Sequence, residues 1–62
     1  IEMRDELSRA VASLPAQERT VIELYYFKGQ RLREIKGVLG VSESRVSQIH
    51  SAAVIHLRKL LH

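Results

Sequence analysis

Apolar positions recur with a helical period along almost the whole chain. Met3, Leu7, Ala10, Val11 and Leu14 step by four, three, one and three, which places them on one face of a helix over about residues 2–13. Pro15 ends that helix, because the residue before a proline avoids the helical region. It can also serve as the first residue of the next helix, where its missing N–H is no loss. The second helix runs to about Phe27, with Val21, Leu24, Tyr25 and Lys28 on one face and Ile22 and Tyr26 on its flank. Gly29 fits the position just past its end, and Lys28 complements the negative end of the helix dipole. Leu32, Ile35, Val38 and Leu39 mark a third helix, and Gly40 provides the positive φ needed to leave it. Ser42 is a good N-cap for a fourth helix reaching about Leu61, and Glu43 lies in its first turn, where the dipole favours a negative charge. Its inward face is Val46, Ile49, Ala53, Leu57 and Leu60. Val54, Ile55 and Leu61 widen that face, giving the tail more apolar surface than four small helices can cover.

No strand pattern, repeat or long linker interrupts this series. The expected fold is all-α: a small four-helix bundle forming one domain over residues 1–62, with a C-terminal helix-turn-helix at about 31–51. The outward face of the fourth helix then carries Glu43, Ser44, Arg45, Ser47, Gln48 and Ser51. Glutamine can bond adenine bidentately, glutamate accepts from cytosine N4, and serine bonds either kind of base edge. Charge points the same way. Residues 1–24 carry five acids against three bases, whereas residues 25–62 carry two acids against seven bases. The basic half contains the helix-turn-helix, as expected of a surface that meets phosphates.

The remaining composition removes other functions. At 62 residues the chain is near the lower limit for a self-supporting core. With no cysteine it has neither a disulfide nor a thiolate metal site, which fits a reducing, cytoplasmic setting. No apolar run approaches the roughly 20 residues of a membrane span, so no membrane partner is expected. The chain opens on Ile1 rather than Met and reads as a piece of something longer. His50, His56 and His62 are spaced by six and share no helix face, so they read as surface histidines rather than metal ligands. Glu2, Asp5 and Glu6 are interleaved with Arg4 and Arg9, and read as a solvated helix face. Tyr25, Tyr26 and Phe27 read as core and rim of a helix end rather than a stacking platform for single strands. Glu18 and Arg19 have no nucleophile or phosphate cradle beside them. No catalytic residue, cofactor or metal is expected, and the chain does not read as an enzyme.

LGVSESRVSQIH, LP-x-x-ER from Leu14, and LYY at 24–26 together resemble region 4 of bacterial RNA polymerase sigma factors, especially the flagellar and sporulation-type alternative sigma factors. The resemblance covers about Leu14 to Leu61. It implies recognition of a promoter −35 element in double-stranded DNA through the last helix. The matching positions are Glu43, Ser44, Ser47 and Gln48 for base edges, beside the cap Ser42, with Arg45 and Ser51 flanking phosphates. Arg31 and Arg33, at the start of the preceding helix, would grip the backbone. The resemblance also implies docking on the β flap of the RNA polymerase core, and anti-sigma factors often occupy this domain.

Two positions depart from the family pattern. Lys36 stands where a small residue usually follows the isoleucine of the third helix, with glycine one place later at Gly37. Arg31 replaces the usual threonine N-cap, so Glu34 keeps its capping-box place without its partner side chain. A response-regulator output domain, or a protein-interaction module held by an anti-sigma factor, are the alternative readings of the same helices.

Overall fold

The computed structural model describes residues 2–61, with side chains from residue 6 onward. Four helices follow one another: α1 (Glu2–Ala12), α2 (Ala16–Ile22), α3 (Leu32–Leu39) and α4 (Glu43–Leu61). There is no strand among the described residues. The Met3 side chain, placed on the inner face of α1 by its spacing, lies outside the described residues, as do those of Glu2, Arg4 and Asp5.

Each boundary has a local cause. α1 closes with the Ser13 N–H donating to Arg9 O at 3.1 Å, and the Ser13 hydroxyl folds back on the same carbonyl at 2.9 Å. Pro15 then sits at the N-cap of α2 with φ −53° and ψ 152°, one place earlier than its expected position inside the helix. The end of α2 departs further from expectation. Glu23–Phe27 form a π turn, with Lys28 N–H donating to Glu23 O at 3.1 Å. Gln30 N–H closes the end on Leu24 O at 2.9 Å, across Gly29 at φ +70°.

That wide turn changes which side chains reach the interior. A helix of constant period would carry Tyr25 and Tyr26 inward one turn after Val21 and Ile22. The π turn takes up an extra residue, and Tyr25, Tyr26 and Phe27 are 37%, 54% and 55% exposed. The expectation that these rings divide between core and rim, with Tyr25 inward, is corrected: all three lie at the rim. Val38 and Leu60, also assigned inward, are exposed as well. Leu60 lies near the C-terminus of α4, at a cleft it shares with Arg9 and Ala10 of α1, and stays 53% exposed.

The buried side chains form two clusters. Val21, Ile35, Val46 and Ile49 make one, edged by Leu24, Leu32, Leu39 and Val41. Val11, Leu14, Ile22 and Ala53 make the other, edged by Leu7 and Leu57. The neighbours Val21 and Ile22 point into different clusters, so the short helix α2 serves both. α4 does the same along its length, with Val46 and Ile49 in one cluster and Ala53 in the other. A polar bond reinforces the packing of α2 on α4: Glu18 Oε1 and His56 Nδ1 lie 2.7 Å apart.

Candidate nucleic-acid interface

The junction between α3 and α4 forms as its residues demand. Gly40 adopts φ +71° and ψ 33°, a left-handed conformation that a side chain makes costly. Gly40 N–H and Val41 N–H both donate to Lys36 O, at 2.8 and 3.2 Å. This satisfies a carbonyl that the helix end would otherwise leave bare. Two residues later Ser42 Oγ accepts from Arg45 N–H at 3.0 Å, and Ser42 O accepts from Val46 N–H at 3.1 Å. The result is a helix-turn-helix whose second helix has a fixed starting point.

Within α4, Val46 and Ile49 are buried while Glu43, Ser44, Arg45, Ser47, Gln48 and Ser51 are all exposed. At about 100° per residue, Ser44, Ser47, Gln48 and Ser51 form the outward stripe directly opposite the core. Glu43 stands on one flank of that stripe and Arg45 on the other. Ser42 uses an oxygen lone pair for the cap, which leaves its hydroxyl proton free to donate.

Arg31 and Arg33 are both exposed at the entry of α3. Arg31 is the N-cap residue, in extended backbone at φ −86° and ψ 160°. Its backbone N–H donates to Glu34 Oε1 at 2.7 Å, so half of a capping box is present. The other half cannot form, because a guanidinium has no acceptor. The Glu34 N–H donates instead to Arg31 O at 2.9 Å. Two cations beside the positive end of a helix dipole cost local stability of about 0.3–1 kcal/mol each. The Glu34 carboxylate at the same helix end offsets part of that cost.

Lys36 is exposed, and a Cβ built on Gly37 would meet nothing within 4 Å. The close helix crossing that a small residue would serve is thus absent at Gly37.

Sequence reasoning missed one feature beside this face. His50, half-buried on α4, shares a hydrogen bond of 3.0 Å between its Nε2 and the Tyr26 hydroxyl. Its ring stacks on Tyr26 at 5.7 Å and meets Tyr25 edge-on at 5.0 Å. The partners lie 24 residues apart, and only the π turn brings them together, so no local pattern announces them. Among the described residues no group of His, Cys, Asp and Glu is arranged to hold a metal ion.

α3, the turn at Gly40 and α4 place the chain in the class of helix-turn-helix domains, with a polar outward stripe on the second helix. The profile of the family described as "Sigma-70, region 4" matches residues 10–59, and the chain belongs to that family. It is similar to RNA polymerase sigma factor FliA of Pseudomonas aeruginosa, at 54% identity over 55 residues, covering 89% of this chain and 22% of that protein. The FliA protein of Escherichia coli K12 is 46% identical over 59 residues, covering 95% of this chain and 25% of its own length. RNA polymerase sigma-D factor of Bacillus subtilis is 40% identical over 60 residues, covering 97% of this chain and 24% of that protein. The chain thus spans about a quarter of the length of these relatives.

Proposed function

We propose that this chain reads the −35 element of promoters for an alternative sigma factor of the flagellar type, by binding rather than catalysis. The observation that carries the reading is the free polar stripe of α4, held from behind by Val46 and Ile49. In this reading Ser44, Ser47 and Gln48 meet base edges in the major groove, with Glu43 at the rim. Arg45, Ser51 and the hydroxyl of Ser42 flank the phosphates. Arg31 and Arg33 hold the backbone from α3, which accounts for two cations at the wrong end of a helix dipole. The open end of the fold, where Phe27, Leu60 and Leu61 are exposed, supports docking to the RNA polymerase core through the β flap, or to an anti-sigma factor. Family membership favours this over a response-regulator output domain.

The test is fluorescence anisotropy on labelled duplex DNA across a salt series. The expected result is salt-sensitive binding, with a slope of about −0.9 per phosphate neutralised. Arg31→Thr should restore the N-cap and raise stability by about 1 kcal/mol, while making the slope shallower by about one. Gln48→Ala should blunt sequence preference and leave the slope alone. Binding that ignores salt would overturn the reading and favour the interaction module.

A further inference from the structure

The reading half of α4 is tied to the core through two buried side chains, Val46 and Ile49. Apolar contacts set how far a helix stands from its neighbours, but they are non-directional and define its rotation poorly. Bidentate contacts to bases tolerate errors of only about 0.5 Å and 10–20°. A directional contact added to the cap and the packed core would narrow the angle of the stripe further. The structure contains one in the right place. At about 100° per residue His50 lies between the buried Val46 and the outward Ser47, at the edge where the core face meets the stripe. Its Nε2 is 3.0 Å from the Tyr26 hydroxyl, a bond with a strict angular requirement. Tyr25 meets the His50 ring edge-on, and Tyr25 and Tyr26 brace each other at 4.8 Å with planes 81° apart. Both tyrosines occupy this position because α2 ends in a π turn, a device often found at functional sites.

The geometry points to Tyr25, Tyr26 and His50 as positioning residues that fix the rotation of α4 and so determine which base edges Ser44, Ser47 and Gln48 meet. This rests on the DNA-reading proposal above. The Tyr26 hydroxyl provides a directional stop on the outside of the fold, where the core supplies none. The bond itself carries no sequence information. Its loss leaves phosphate attraction intact and blurs base choice.

The experiment is selection from a pool of labelled duplexes randomised over a central block, followed by a salt series on the preferred sequence. Tyr26→Phe and His50→Phe keep both rings and remove only the bond. Each should flatten base preference about tenfold, the loss of roughly one bidentate contact, with the salt slope, helical content and melting midpoint unchanged. His50→Gln, which can still bond the hydroxyl, should restore most of the preference. Unchanged preference in Tyr26→Phe and His50→Phe overturns the inference. A shallower salt slope with unchanged preference overturns it too, by making His50 a direct phosphate contact. If the unaltered chain shows no salt-sensitive duplex binding, the DNA-reading proposal itself has failed and this inference falls with it. Salt-sensitive binding that loses preference in Gln48→Ala but not in Tyr26→Phe or His50→Phe defeats the positioning role alone.

Discussion

The two buried clusters differ in how completely they are closed. The one made by α2, α3 and the first half of α4 is sealed: Val21, Ile35 and Val46 are fully buried, and Leu24, Leu32, Leu39 and Val41 ring them. The one made by α1, α2 and the second half of α4 is open. It has two flanking leucines, Leu7 and Leu57, and beyond them Tyr26, Phe27, Ile55, Leu60 and Leu61 face solvent. A cavity of about 250 Å³ lined by Leu7, Ile22, Tyr26, Phe27 and Leu57 remains on that side. The contrast separates two tasks. The half that carries the polar stripe holds its shape with its own side chains, whereas the other half leaves apolar surface uncovered.

The sharpest way to break this comparison is a matched pair of truncations. Ile35→Ala removes the centre of the sealed cluster and should cost about 3–4 kcal/mol, enough to abolish cooperative melting in a chain of 62 residues. Leu57→Ala, at the half-buried edge of the open cluster, should cost about 1–2 kcal/mol, since less surface returns to water. Circular dichroism on both variants decides it, and equal losses would mean that the two halves are one core. Next in size is the cap. Ser42→Ala removes the acceptor for Arg45 N–H and should cost about 1 kcal/mol, with thermal melting as the readout. The smallest effect belongs to the open side. Leu60→Gln should change stability by less than about 0.5 kcal/mol, because the side chain is already 53% exposed. A clear loss there would show that the tail is packed more tightly than its exposure implies.

Much of this architecture is written in local pattern. Gly40, Ser42 and Gly29 mark helix ends because each has a conformational or capping role that few residues can fill. The four helices follow from a period that is obeyed nearly everywhere. The candidate interface is legible for the complementary reason: Ser44, Ser47, Gln48 and Ser51 are what remains once the apolar face of α4 is assigned. The readings that fail, do so where the period changes or runs out. Tyr25, Tyr26 and Phe27 turn outward because the five residues after α2 form a π turn, and a fixed angle per residue cannot anticipate that. Val38 and Leu60 carry apolar side chains at inward spacing, yet more than half of each remains exposed. The bonds Tyr26–His50 and Glu18–His56 join residues 24 and 38 positions apart, and only the packed helices reveal them.

The nineteen residues of α4 form an unbroken rod about 28 Å long. Ala53, buried against its neighbours, lies near the middle. A body pressing on Leu60 and Leu61 would swing the opposite tip about that fulcrum, and a tilt of about 5° would carry Ser44 by about 1 Å. Whatever grips the tail therefore has a mechanical hold on the end proposed to read the duplex.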